Sequence, residues 1–118
     1  MDPTIVPTHV RKTSQLVHII AAATSTQIFI LSQGATAKIL KVMLMNNTGA
    51  NDEVTFGTNV GGVWAAMMPE FYILTPFSEN WSEWEIPAIM FETDIWARSA
   101  NAGALVPMDV LIEVDEIK

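Results

Sequence analysis

The segment LKVMLMNNTGANDEVTF, residues 40–56, indicates the fold class of this chain. Strand geometry places alternate residues on opposite faces, so Leu40, Val42 and Leu44 share one apolar face. The Asn/Gly-rich centre is typical of a turn, and the residues after it, up to Phe56, are typical of a second strand. The segment therefore predicts a strand, a polar turn and a second strand.

The opposite face of this first strand is unusual because it also becomes apolar before the turn. It would carry Ile39, Lys41, Met43 and Met45. Half of the 118 residues are hydrophobic and 16% are charged, and so small a chain has a large surface for its volume. The apolar excess must be exposed or covered by another protein, which favours an oligomer or a component of a larger assembly.

The formal net charge of −7 arises in the last third of the chain. Residues 1–78 hold four acidic and four basic residues, whereas residues 79–118 hold nine acidic residues against Arg98 and Lys118. Since no basic stripe is present, binding to nucleic acid or to an anionic membrane surface is disfavoured. The absence of cysteine excludes disulfide bonds and thiol chemistry.

Short runs of β-branched and aromatic residues, separated by clusters of Gly, Pro, Asn and Ser, predict a single all-β domain over residues 14–118. About eight strands are predicted, near Gln15–Ala21, Thr26–Leu31, Ala37–Met45, Glu53–Phe56, Phe71–Leu74, Trp81–Ile86, Asp94–Ser99 and Met108–Val114. Their spacing is typical of an antiparallel β-sandwich, a jelly roll or a small barrel. Residues 1–13 contain two prolines and little periodicity, which predicts an extended N-terminal arm.

The sequence contains no constellation for catalysis, so we expect a non-enzymatic protein without a cofactor. His9 and His18 are the only histidines, and no nucleophile motif accompanies them. Two distant histidines do not form a zinc site, and no metal site is predicted. The acidic residues Glu79, Glu83, Glu85, Glu92, Asp94 and Asp109 have oxygen ligands suitable for calcium, but no calcium-loop motif orders them. Calcium binding stays open beside the simpler reading of a solvated anionic face.

The stretch NWSEWEIP, residues 80–87, is the strongest candidate for binding a small ligand. On a continuous strand Trp81, Glu83 and Glu85 would share one face at intervals of roughly 6.5–7 Å. The indole would stack on a sugar ring while the carboxylates accept hydrogen bonds from its hydroxyls. The same spacing faintly resembles the acid pair of an inverting glycosidase, although an exposed strand provides no desolvating cleft.

Aromatic and methionine side chains are the main candidates for a protein interface, because they bury a large area at small entropic cost. Some of these residues must belong to the core, and Phe56 and Trp84 are expected there. The candidate interface residues are Met43, Met45, Trp64, Met67, Met68, Phe71 and Tyr72.

Three stretches in order resemble a known class of proteins: TQIFIL at 26–31, GATAKILKVMLMNNTGANDEVTF at 34–56 and AIMFETDIWARSANAGALVPMDVLIEVDEI at 88–117. Together they look like the small β-sandwich modules of virus and bacteriophage particles, among decoration, fibre and tail accessory proteins. The resemblance implies a jelly-roll-like fold in which the strand at 34–56 pairs with its neighbour across the turn.

The same resemblance implies a structural role without catalytic residues. Such proteins self-associate, often as trimers, and attach to a major capsid or tail protein, so the implied location is the virion after synthesis in the host cytoplasm. The arm would then order against a neighbour. The alternative from a different class is a ligand- or receptor-binding sandwich, for instance a carbohydrate-binding module with Trp81 at its site.

Overall fold

A computed structural model describes residues 7–118, which form strands, turns and loops and contain no helix. The strands are β1 His9–Thr13, β2 Val17–Ile19, β3 Thr26–Phe29, β4 Thr36–Asn46, β5 Asp52–Val60, β6 Val63–Ala66, β7 Phe71–Ile73, β8 Ser78–Trp81, β9 Met90–Phe91, β10 Ile95–Ser99 and β11 Met108–Ile117. The prediction of an all-β domain is therefore confirmed.

The strands form two antiparallel sheets that pack face to face. The first sheet has the order β1–β11–β4–β8, with β2 also paired to β11 and β9 also paired to β4. The second sheet has the order β3–β10–β5–β6, with β7 also paired to β5. The predicted β-sandwich is confirmed, but the chain has eleven strands instead of about eight. The three additional strands arise where two short strands pair with the same neighbour at the edge of a sheet. These pairs are β1 and β2 on β11, β8 and β9 on β4, and β6 and β7 on β5.

The core lies between the two sheets and follows the alternation of β11. Met108, Val110, Ile112 and Val114 are fully buried, while the residues between them face outward. The strand predicted at Met108–Val114 is therefore confirmed, and it extends to Ile117. The core is completed by fully buried residues from both sheets, including Phe56.

A β-bulge in β4 changes which of its residues face the core. Lys41 pairs with Glu113 and Ile39 pairs with Val114, so Leu40 has no partner in the register. The extra residue reverses the alternation beyond it, and Ile39 is buried as well as Leu40. The prediction that Ile39 shares the outer face with Met43 is wrong for this reason.

The turn after β4 is an arch between sheets and not a hairpin, because β4 belongs to the first sheet and β5 to the second. The buried side chain of Asn46 shapes the arch. Its amide donates to the carbonyls of Ala50 and Ile73 at 2.8 and 3.1 Å, and its oxygen accepts from the backbone of Thr48 at 2.9 Å. These bonds replace the ladder of a hairpin, so the pairing implied by the resemblance is corrected.

The predicted N-terminal arm is in part an edge strand. Residues His9–Thr13 form β1 and pair with β11 from Ile117 to Glu113. Acidic residues of β11 provide ion-pair partners, with Arg11 Nε 3.1 Å from Glu113 and Lys12 Nζ 2.9 Å from Glu116. Periodicity in such a short polar strand is weak, and its partner lies at the other end of the chain. Residues 1–6 lie outside the described part of the chain.

Gly57→Ala is expected to lower the free energy of unfolding by about 1–3 kcal/mol, the usual cost of overpacking. A Cβ at Gly57 would lie 2.1 Å from the carbonyl oxygen of Ala65 and 2.9 Å from the ring of Trp64. The backbone atom cannot move without disturbing the pairing of β5 with β6. Urea unfolding followed by circular dichroism measures the loss. Gly34→Ala measures backbone strain without crowding, since Gly34 has a φ of 77° and a Cβ there meets nothing within 4 Å. A Gly57→Ala variant as stable as the unmodified chain would contradict the steric explanation.

Glu116 makes the stability of the fold depend on pH. Its side chain is buried, and hydrogen bonds from Lys12 and Ser32 lower its pKa from 4.5 to about 2. A lowered pKa in the folded state means that the contribution is complete above the unfolded pKa and is lost as pH falls toward 2. We expect the melting temperature to decrease between pH 4.5 and 2, and Glu116→Gln to flatten this decrease. An unchanged pH profile in the variant would assign the effect to other carboxylates.

Candidate functional site

The outer face of the first sheet carries an apolar groove, here called the methionine groove. Its apolar residues are Leu16, Met43, Met45 and Leu111, and its rim includes Ser78, Asn80 and Asp109. The groove has a volume of about 260 Å³. Met45 is 47% exposed and Leu16 is 55% exposed, although neither residue has a polar group to interact with water. The structure therefore brings together the two predicted interface residues of β4.

The groove is bordered by a charge pattern that is locally balanced. Acidic residues of β11 lie between basic residues of β1 and β4, and the register pairs Lys41 with Glu113 and Lys38 with Asp115. The three basic residues are Arg11, Lys38 and Lys41, and the three acidic ones are Asp109, Glu113 and Asp115. This face is thus neutral, with histidines uncharged, although the chain carries −7.

One end of the sandwich, here called the loop end, is formed by four connecting segments: residues 20–25, 46–51, 74–77 and 100–107. Backbone hydrogen bonds hold several of them together. The Asn46 amide donates to the Phe77 carbonyl at 3.0 Å, and the Asn47 amide donates to the Pro107 carbonyl at 3.2 Å. These contacts bring distant parts of the chain into one surface.

The loop end is uncharged and rich in exposed apolar side chains. Its four segments contain no acidic or basic residue. Leu105 is 95% exposed, an extreme value for a large apolar side chain. The exposed apolar residues are Ile20, Leu74, Phe77, Leu105 and Val106. Phe77 directly precedes Ser78 on the rim of the methionine groove, so the loop end adjoins the groove along the chain.

The predicted interface patch at residues 64–72 is not one continuous surface. Met68 and Phe71 are 6% and 7% exposed and belong to the core, which corrects their assignment as interface residues. Met67 is partly buried against the same core. Trp64 is partly covered by the guanidinium of Arg98 at 4.7 Å from its ring, and only Tyr72 is open, with 54% exposure.

The predicted single strand face of Trp81, Glu83 and Glu85 is wrong, although Trp81 and Glu85 do line one cleft of about 410 Å³, whose lining does not include Glu83. β8 ends at Trp81, and Glu83 and Glu85 lie in the turn that follows, so the three residues share no strand face. Trp81 packs edge to face on Phe71 with ring centroids 4.9 Å apart. Glu85 accepts a hydrogen bond from the Ser82 hydroxyl at 3.0 Å. The turn arises because the residues between β8 and β9 do not pair with β4, whereas both strands do.

The two tryptophans of this stretch differ from expectation in their burial as well. Trp84 was expected in the core and is 90% exposed, because it lies in the turn beyond β8. Trp81 is half-buried through its contact with Phe71. Local sequence does not distinguish a tryptophan at the end of a strand from one three residues further on.

Both histidines lie on the outer face of the first sheet and pair with carboxylates. His9 Nδ1 is 2.8 Å from Asp115, and His18 pairs with Asp109. Asp109 also accepts a hydrogen bond from Asn47 at 3.1 Å. Within residues 7–118 these imidazoles therefore act as cross-strand partners of β11 residues.

The carboxylates considered for calcium are dispersed by the fold. No group of three or more His, Cys, Asp or Glu residues within the described range is placed to hold a metal ion. Asp94 accepts hydrogen bonds from Gln27 and from the backbone of Leu31, both at 2.9 Å. Elsewhere, a hydrogen bond shared with Glu70 raises the pKa of Glu53. Glu53 and Glu70 lie beside Arg98, away from the methionine groove.

Comparisons with known proteins do not assign a family. No protein-family model matches the chain, and no curated protein matches its sequence. Among residues 7–118, no helix has the length and apolar character needed to cross a membrane. Conclusions about function therefore depend on the geometry of the surfaces.

Sequence reasoning missed the loop end and half of the methionine groove. Leu111 had a visible signal, since it is the apolar exception on the outward face of β11. Leu16 had none, because only the pairing of β2 with β11 brings it to the groove. The loop end had a readable signal in its four uncharged turn segments, but their proximity follows from the tertiary structure alone.

Proposed function

We propose that this chain is a non-enzymatic structural protein of a virus or bacteriophage particle, a capsid decoration or a tail or fibre accessory protein. It self-associates through the methionine groove, with a trimer favoured, and docks through the loop end onto a capsid or tail protein. The observation that carries the proposal is the exposed apolar groove on a sheet face whose charges are already balanced.

A jelly-roll fold is part of this proposal, and the strand order supports it. Counting each shared edge once gives eight positions along the chain, four in each sheet. Their order is 1-8-3-6 in the first sheet and 2-7-4-5 in the second. This is the order obtained when an antiparallel ribbon that pairs 1 with 8, 2 with 7, 3 with 6 and 4 with 5 folds over itself. Jelly rolls of this kind recur in viral capsid proteins and in lectins.

Charge favours a second copy of the chain as the partner of the methionine groove. Two chains that each carry a net charge of −7 repel each other. The repulsion is smallest when the contact surface contains as many basic as acidic residues. The first sheet presents a row of acids between rows of bases, so a copy rotated about a two-fold or three-fold axis can place acids opposite bases. Burial of Leu16, Met43, Met45 and Leu111 would then stabilise the contact.

The loop end suits an attachment that does not depend on charge. It has exposed apolar side chains and no charged residue in its segments, so an acidic or neutral protein surface can approach it without repulsion. Nucleic acid and anionic lipid, which require basic residues, are disfavoured as partners. A capsid or tail protein is the partner that fits the proposed role.

Sedimentation velocity of the isolated chain at micromolar concentration tests self-association. We expect an oligomer, held mainly by burial of the apolar residues of the methionine groove. A monomer at these concentrations would overturn the proposal. Attachment is tested separately by immunogold labelling of particles from the source of the chain; unlabelled particles would remove the virion role and leave the oligomer unexplained.

A further inference from the structure

We propose that a cleft at the end of the sandwich opposite the loop end binds a neutral, hydroxyl-rich ligand of one or two sugar residues. The cleft lies between the β3–β4 connection, the end of β5 and the β9–β10 connection, and has a volume of about 440 Å³. Volumes of this order are typical of sites for small ligands. The site is distinct from the methionine groove, and the inference does not rest on the proposed function.

Trp96 provides an aromatic wall of this cleft. It projects from the outer face of β10 and is only partly buried. Its direct neighbour in the register of β5 is Gly57, over which the ring of Trp64 lies, so the indole is accessible from the side of the cleft. An exposed indole face packs on the C–H groups of a sugar ring while the hydroxyls at the ring edge remain free for hydrogen bonds.

The two charged groups of the cleft are hydrogen-bond acceptors, and they lie beside hydroxyl and amide groups that can also donate, those of Ser32, Gln33, Asn59 and Thr93. Asp94 is oriented by two hydrogen bonds of 2.9 Å, from Gln27 and from the amide of Leu31. Each of its carboxylate oxygens keeps acceptor capacity, since an ionised carboxylate offers about four acceptor sites. Glu92 is exposed at the rim of the same cleft. These groups require a ligand that donates hydrogen bonds.

Asn59, on the outer face of β5, gives an independent indication that a ligand in the cleft supplies a hydrogen-bond donor. Its side-chain oxygen is shielded from water and has no hydrogen-bond partner among residues 7–118. Unsatisfied acceptors of this kind are rare in folded proteins, because each is costly. Asn59 belongs to the cleft lining, so a small adjustment of its amide would let a ligand hydroxyl satisfy it.

The electrostatics of the lining restrict the class of ligand. Glu92 and Asp94 are its charged residues, and it contains no Lys, Arg or His. Phosphate, sulfate and carboxylate groups would be repelled by these carboxylates, and Lys12, which donates to Ser32 of the lining at 3.0 Å, is already paired with Glu116. Neutral sugars have both the apolar ring face and the hydroxyl donors that Trp96 and the acceptors need.

An array of neutral and sialylated glycans, followed by NMR titration of the ¹⁵N-labelled chain with the best neutral glycan, tests the inference. We expect shifts of the Trp96 indole N–H and of amides in segments 31–35 and 92–94. Trp96→Ala should weaken binding at least about tenfold, while the matched variant Trp84→Ala, at an exposed tryptophan outside the cleft, should leave it unchanged. Glu92→Gln should weaken binding severalfold and, as an exposed residue, should not impair folding.

Several results would overturn the inference. They are the absence of binding to every neutral glycan, binding only to sialylated glycans, or NMR shifts centred away from the cleft. Unchanged affinity in both Trp96→Ala and Glu92→Gln would do so as well. None of these results bears on the oligomer, since sedimentation depends on the opposite half of the molecule.

Discussion

Replacing Met43 and Met45 together with lysine is expected to convert the oligomer into a monomer. Both side chains lie on the outer face of β4, where Met43 is half-buried and Met45 is 47% exposed in the single chain. In an oligomer they would be enclosed. A lysine at position 45 would lie opposite Asp109, whereas one at position 43 would lie opposite Leu111, and a buried ammonium group without a partner costs several kcal/mol. A dissociation constant in the micromolar range should therefore weaken by more than about a hundredfold, since 1.4 kcal/mol is a factor of ten. Sedimentation velocity measures the change.

The double variant should keep its strand content, because neither methionine belongs to the core. Circular dichroism and thermal unfolding check this directly. Val63→Lys is the matched control, since Val63 is 69% exposed on the second sheet and lies away from the groove. An oligomer that persists in the double variant, or that is lost equally in Val63→Lys, would show that the methionine groove is not the contact.

Asp52→Ala is expected to lower the free energy of unfolding by roughly 3–4 kcal/mol, because several hydrogen bonds to a buried charge are lost together. Asp52 is 1% exposed, and its Oδ1 accepts from the backbone amides of Glu53, Ala100 and Asn101 at 2.7, 2.9 and 3.0 Å. Its Oδ2 accepts from the hydroxyl of Ser99. Hydrogen bonds to a charged group contribute about 1.5–3 kcal/mol each, and several are lost together. Urea unfolding followed by circular dichroism measures the loss.

Asp52→Asn separates the charge of this side chain from its shape. The amide oxygen can still accept from the backbone, so a loss of only about 1–2 kcal/mol is expected. Ser99→Ala removes one bond and should cost about 1 kcal/mol. If Asp52→Ala, Asp52→Asn and Ser99→Ala were all as stable as the unmodified chain, the hydrogen bonds of Asp52 would not be what holds the β10–β11 connection to β5.

The strand alternation of β11 and the inner face of β4 from Val42 onward were predictable from sequence. A strand places alternate side chains on opposite faces whatever it pairs with. The core-facing positions of Val42, Val110 and Ile112 therefore follow from the local sequence alone. The bulge at Leu40 was not predictable, since it depends on how β4 meets β11 across more than sixty intervening residues. Likewise, β1 is a strand only because β11 supplies its partners.

The candidate site was predictable in part. The apolar outer face at Met43 and Met45 followed from sequence and lies in the groove as expected. Met68 and Phe71 were assigned to an interface but lie in the core, because composition shows that a residue is apolar without showing which side of a sheet it faces. The face at Trp81 failed because the strand ends there.

The sequence by itself determined that the chain is an all-β domain with more apolar strand surface than one face of each sheet needs. Local alternation and turn residues carry that information. The tertiary structure alone decided which sheet each strand joins, that Asn46 makes an arch in place of a hairpin, and that four uncharged loops meet at one end. These features depend on backbone pairing between distant segments. Such pairing produces no periodic pattern in the sequence of the residues that take part.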